Sequence, residues 1–131
     1  MMGNGKTGET GETGKKDPFQ VDHKIWLEKN GAIFGDGLLK LLSNVAALGS
    51  ISQAAREMDM SYRAAWGKIK VAEERWGLPL VITQVGGEMG GGAKLTPEAG
   101  ELLKRFRRLR QEVDHFARNS FIEIFRGWPG P

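Results

Sequence analysis

Between Arg56 and Lys94 the chain gathers side chains suited to reading a polar surface rather than to bond breaking. Ser61, Tyr62, Arg63, Trp66, Gly67, Lys68 and Lys70 follow one another within ten residues. They supply a hydroxyl that can cap a helix, a phenol, a guanidinium, an indole, a glycine permitting close approach and two ammonium groups. Arg56 precedes them, and Gln84 and Lys94 flank a glycine-rich stretch holding Gly86, Gly87, Gly90, Gly91 and Gly92. Fork-shaped and point cations beside aromatic rings suit a phosphate backbone and base edges. Acid/base or nucleophilic chemistry is not legible. His23 and His115 stand far apart, no Ser/His/Asp arrangement can be argued, and no carboxylate pair has a readable role. Zero cysteines exclude disulfides, thiolate metal sites and Cys nucleophiles. The reading is therefore no enzyme, no metal and no cofactor.

The glycine-rich stretch invites a nucleotide-binding reading, which fails on spacing. Ala93 and Lys94 follow Gly92 where a P-loop needs Lys and Ser/Thr. The stretch also lies between two strand signals instead of opening a helix, so it lacks a helix N-terminus for a phosphate.

The elements that must position these groups can be read outward from Gly49–Gly77. Ser50 or Ser52 can cap a short helix over Gln53–Met58, with Ala54 and Ala55 on its inner face. Asp59-Met60 makes a tight turn with Met60 as an apolar plug, and Ser61 caps a second helix from Tyr62 to about Arg75. Ala65, Ile69 and Ala72 share one face of it, which leaves Tyr62, Arg63, Trp66, Gly67 and Lys70 pointing elsewhere. Small residues on the first helix permit the close crossing of a helix-turn-helix, whose second helix enters a DNA major groove by its N-terminal turn. The same pattern also fits an ordinary helical hairpin, so the flanks decide.

Upstream, residues 1–18 are Gly, Thr, Glu and Lys with almost nothing apolar, and read as a disordered tail. His23–Phe34 carries alternating apolar residues around Asn30-Gly31, a type I′ hairpin signal, with strands expected near 23–29 and 32–35 and Trp26 as packing. Asp36 is expected to cap a helix over Gly37–Leu48 with an apolar stripe of Leu38, Leu41, Leu42, Val45 and Leu48, stopped by Gly49. Downstream, the run from Leu78 to Val85 reads as a strand, Ala93–Leu95 as its return, and Thr96-Pro97-Glu98 as the start of a last helix reaching about Phe121. Strand, glycine-rich loop and strand after a helix-turn-helix is the layout of a winged helix. Leu102, Phe106, Leu109, Val113 and Phe116 recur at four and three residues, a short heptad seam read as a homodimer contact. Lys104, Arg105, Arg107, Arg108 and Arg110 lie off that seam, a solvated face or added phosphate contacts.

The fold class is thus mainly α with small β: a winged helix-turn-helix over 19–121, with an N-terminal β-hairpin, a long dimerisation helix over about 97–121 and a frayed end at 122–131. The 131 residues suffice for one domain, and a net charge of +3 permits a polyanionic partner without demanding one. No apolar run approaches the roughly 20 residues of a membrane span, and the first residues are no signal peptide, so a cytoplasmic protein is expected.

The combination of GSISQAAREMDMSYRAAW, a strand, and GGEMGGGAKLTPEAGELL resembles the N-terminal DNA-binding domain of the ModE family of molybdate-responsive bacterial regulators, a LysR-like winged helix. The resemblance covers roughly residues 21–120. It implies a dimer built through the first and last helices on a palindromic operator. The family's C-terminal molybdate-binding region has no counterpart after the last helix here, so molybdate sensing is not carried over. A link to molybdate or metal-oxyanion metabolism remains an expectation, as does a separate effector or effector-binding protein.

On this reading Ser61 caps the recognition helix and meets a phosphate. Tyr62 and Arg63 reach base edges or the adjacent backbone, Arg63 being suited to bidentate reading of guanine. Trp66 either meets a thymine methyl or packs on the wing. Gly67 lets a groove wall approach, Lys68 and Lys70 take phosphates, and Arg56 touches backbone. Gln84, Lys94 and the wing glycines follow a minor groove or phosphate ridge. The competing reading is a winged-helix protein–protein interaction module without direct DNA binding, since Glu57, Asp59, Glu73 and Glu74 nearly cancel the basic residues of the motif.

Overall fold

A computed structural model describes residues 19–84 and 92–131. Two strands, β1 (Leu27–Lys29) and β2 (Ala32–Phe34), precede α1 (Asp36–Leu48), α2 (Ile51–Glu57) and α3 (Tyr62–Trp76). Strands β3 (Val81–Gln84) and β4 (Gly92–Leu95) and the long α4 (Pro97–Ile124) follow. The described residues divide into two compact units, Lys24–Glu112 and a smaller one built from 19–23 and from Val113–Pro131.

In the larger unit the turns are set by residues that tolerate left-handed backbone. Asn30 (φ 52°) and Gly31 (φ 83°) close the first hairpin, whose register pairs Leu27 with Phe34, Glu28 with Ile33 and Lys29 with Ala32. Gly49 (φ 72°) ends α1, its N–H donating to the Val45 carbonyl at 2.8 Å. Asp59 takes φ 54° in the α2–α3 turn, a conformation Asp adopts more readily than most side chains.

The helix starts follow hydroxyl capping. Ser50, not Ser52, accepts from the Gln53 N–H at 3.1 Å, so α2 opens at Ile51, two residues before the expected start. Ser61 accepts from the Ala64 N–H at 3.0 Å. Thr96 accepts from the Ala99 N–H at 3.1 Å while donating to the Pro79 carbonyl at 2.9 Å, which ties the start of α4 to the approach to β3. At α1 the expectation fails. Gly35 holds the cap position without a side-chain bond, and Asp36 lies in the first turn, its carboxylate taken by Arg110 of α4.

One core holds the unit together. Phe34, Leu41, Leu42, Val45, Ile69, Leu80 and Phe106 are its largest wholly buried side chains, with Phe106 set edge-on to Phe34 at 4.9 Å between ring centroids. The apolar face of α1 comprises Leu38, Leu39, Leu41, Leu42 and Val45, whereas Leu48, expected in the stripe, is exposed. α2 buries Ile51, Ala54 and Ala55, and α3 buries Ala65, Ile69 and Ala72. Met58 and Met60 pack on this cluster from the turn, and the Met60 N–H returns to the Ala55 carbonyl at 2.9 Å.

The second hairpin pairs Val81 with Leu95, Ile82 with Lys94, Thr83 with Ala93 and Gln84 with Gly92. β3 starts at Val81 and not Leu78, because the Leu80 and Val81 N–H groups go to a side chain of α3 instead of a ladder. β4 is tied to the end of α1 by the Ala93 N–H on the Gly49 carbonyl at 2.9 Å, and a Cβ on Gly92 would stand 3.3 Å from that same oxygen. The hairpin after the helix-turn-helix makes this a winged helix. The expected loop glycines Gly86, Gly87, Gly90 and Gly91, and the expected tail at 1–18, lie outside the described residues.

In the smaller unit α4 continues through Val113 to Ile124, past the expected stop at Phe121. The following residues do not simply fray. Phe19 packs on Phe121, Phe125 and Trp128 with ring centroids 6.4, 5.9 and 5.7 Å away. His23 Nε2 lies 3.1 Å from Asp114, whose other oxygen accepts from Arg118 at 2.9 Å. The carboxyl of Asp114 is held below its ordinary value by those two partners, Arg118 first.

Candidate nucleic-acid interface

α3 is built to present one end and one side. Its buried stripe anchors it, Ile69 between the small Ala65 and Ala72, so the opposite side projects. Ser61 fixes the first turn, and Tyr62 and Arg63 on that turn are exposed, Tyr62 at 52%. The first N–H groups of a helix and a guanidinium on the same turn form a donor-rich, positive end suited to an anion or to base acceptors.

Behind that turn the side chains are ordered among themselves. The Tyr62 and Trp66 rings stack with centroids 6.5 Å apart and an interplanar angle of 12°. Lys70 Nζ sits 4.9 Å from the Trp66 ring centroid and 3.1 Å from Glu73 Oε1. The other oxygen of Glu73 accepts the Leu80 and Val81 N–H groups at 2.7 and 3.2 Å. Burial raises the Glu73 carboxyl, but the two backbone N–H groups and Lys70 outweigh it and hold the group below its ordinary value. Glu73 thus ties α3 to the entry of β3. Sequence reasoning treated it only as a charge offsetting the basics. The signal that could have found it is its place three residues after Lys70 and just ahead of a helix-to-strand connection.

The remaining expected contacts are distributed around this surface. Gly67 and Lys68 are exposed on α3, and a Cβ at Gly67 would meet nothing within 4 Å. Arg56 lies exposed in the last turn of α2. Gln84 and Lys94 are exposed on β3 and β4, and Gly92 pairs with Gln84.

On α4 the basic run is largely engaged. Arg105 pairs with Glu101 at 2.5 Å and Arg108 with Glu112 at 2.9 Å, Arg110 holds Asp36, and Arg107 donates to Ser43 Oγ at 2.5 Å. The expected seam is divided. Phe106 is 1% exposed, inside the domain's own core, and so is unavailable to a second copy. The core-facing side of α4 is Ala99, Leu103 and Phe106, and Leu102 is half-buried against that core. Leu109 and Phe116 are exposed and Val113 half-buried.

A second feature was missed by the sequence reading. The first hairpin is pinned beside α3: Asn30 Nδ2 donates to the Arg75 carbonyl at 2.8 Å, Arg75 Nη1 to the Asn30 carbonyl at 3.3 Å, and Trp76 Nε1 to the Ala32 carbonyl at 3.4 Å. A groove of about 690 Å³ lies between the two, with Trp26 and Ile33 on the hairpin side and Gly67, Lys68 and Val71 on the helix side. Trp26, expected as packing, is half exposed there.

Comparison with known proteins bears on this arrangement. Residues 37–100 match the family model of the bacterial regulatory helix-turn-helix protein, lysR family. The chain is 46% identical over 79 residues to the molybdenum-pterin-binding protein MopB of Rhodobacter capsulatus, covering 60% of this chain and 29% of that protein. It is 37% identical over 93 residues to the DNA-binding transcriptional dual regulator ModE of Escherichia coli K12, covering 70% of this chain and 36% of that protein. The chain therefore spans about a third of the length of these curated relatives. Among solved structures, the DNA-binding domain of CbnR in complex with DNA superposes with a TM-score of 0.50 at 20% identity, over 67% of this chain and 95% of that one, and is a likeness of fold.

Proposed function

We propose, from the premise that residues 37–100 are a bacterial regulatory helix-turn-helix of the lysR family, that the chain is a sequence-specific DNA-binding transcriptional regulator of the ModE kind. The observation that carries the reading is the Ser61-capped first turn of α3, with Tyr62 and Arg63 exposed on a helix anchored by Ala65, Ile69 and Ala72. That turn enters a major groove, Arg63 meets base acceptors, and Ser61, Lys68 and Arg56 meet phosphates. β3 and β4 carry Gln84 and Lys94 to the adjacent backbone. The Rhodobacter capsulatus relative is named for molybdenum-pterin binding, which supports a link of this regulator to molybdenum or metal-oxyanion metabolism. DNA as the partner places its action in the cytoplasm.

The regulator acts as a homodimer on an inverted repeat. The contact is on α4, through the exposed Leu109 and Phe116 and the half-buried Val113, and Phe106 is not part of it. No chemical step is involved. Recognition is by hydrogen bonds and charge.

Selection of bound fragments from random duplex, followed by a salt titration on the recovered site, tests the reading. An inverted repeat bound with an affinity falling steeply with salt is expected. A protein that retains no duplex at low salt is instead a protein-docking module.

A further inference from the structure

We propose that the first hairpin is a second DNA-contacting arm, and that the groove between it and α3 seats the phosphate backbone beside the major-groove site. The inference rests on the DNA-binding reading above and extends it to residues outside the matched family segment, which begins at residue 37. Three observations carry it. First, the groove shares a wall with the reading helix. Gly67 and Lys68 line it, so a duplex seated on α3 already reaches its lip. Second, the charge on its lining is complementary to phosphate. Lys24 and Lys68 are its cations, and its one acid, Asp36, is already paired with Arg110. Third, the hairpin cannot drift away from α3, because Asn30, Arg75 and Trp76 bond the two together.

The uncovered side chains fit the same occupant. Trp26, Ile33 and Val71 are each about half exposed, and all three lie on this groove. Deoxyribose edges are apolar enough to rest on them, and an indole N–H can donate to a phosphate oxygen. Gly67 has open space in place of a side chain, which lets the sugar-phosphate chain approach the helix closely. A groove with this lining beside a reading helix therefore meets the flank of the duplex that the helix enters.

Lys24→Gln tests this, since Lys24 is exposed and its loss leaves the core intact. On random-sequence duplex, the slope of log affinity against log salt should become shallower by about 0.9, the contribution of one phosphate contact. Lys29→Gln, on the same hairpin but off this groove, should leave the slope unchanged. Trp26→Phe should remove a large part of the indole emission change produced by duplex. If the wild type binds with a steep slope and neither Lys24→Gln nor Trp26→Phe alters these readouts, the arm is not on DNA and the inference is overturned. If the wild type itself shows no salt-dependent duplex binding, the underlying DNA reading falls with it.

Discussion

Replacing Glu73 by Gln removes the charge that joins the reading helix to the second hairpin while keeping the side chain's volume. Glu73 accepts three hydrogen bonds, from the Leu80 and Val81 N–H groups and from Lys70. A glutamine can keep both backbone acceptances on its one carbonyl oxygen, now uncharged, but its amide nitrogen then faces Lys70 and cannot accept from it. Losing the Lys70 pairing and making the acceptor of the two backbone bonds neutral is worth about 1 kcal/mol, which for a domain of this size lowers Tm by roughly 5 °C. The sign of the pH dependence follows from the lowered carboxyl. The stabilisation is fully present above the ordinary value of 4.5 and is lost as pH falls through the folded-state value beneath it. Urea denaturation of wild type and Glu73→Gln at neutral pH should therefore show the full gap, and the gap should close in acid below that range. A gap of unchanged size in acid would mean that the carboxylate charge is not what joins α3 to β3, and the reasoning would fail.

Arg63→Ala should cost about 1–3 kcal/mol on the selected site and relax choice at one base pair, measured by competition among single-base variants. Equal weakening on all sequences would make Arg63 a phosphate contact. Phe116→Asp places a charge in the exposed stripe of α4, outside the core, and should convert a dimer to monomer by sedimentation. A variant that sediments as wild type removes that stripe from the interface.

What the sequence made legible was mostly what short-range chemistry decides. Asn30-Gly31 and Gly49 act through their own backbone and Ser61 through a hydroxyl bond three residues on, so type and position alone announce the turn, the stop and the cap. Alanine spacing likewise identified the buried side of α3. Periodicity was less informative on α4. A four-three recurrence marks an apolar stripe without saying what covers it, and the first turns cover the protein's own core through Ala99, Leu103 and Phe106. Phe106 therefore belongs inside, and only the later members of the series remain open. Glu73 and the Trp26 groove were not legible because each depends on segments distant in the chain meeting in space. Nothing local to Trp26 shows that Val71 will stand near it.

The meeting of α2 and α3 has a consequence for how such a domain can change. Ala54, Ala55 and Ala65 possess no rotatable side-chain carbon, so their part of the packing has a fixed shape. A bulkier residue there meets other methyl groups and backbone before the methionines of the turn can give way, and it tilts α3. Sequence choice should therefore be lost to substitutions that never touch DNA, at positions where the fold itself still survives.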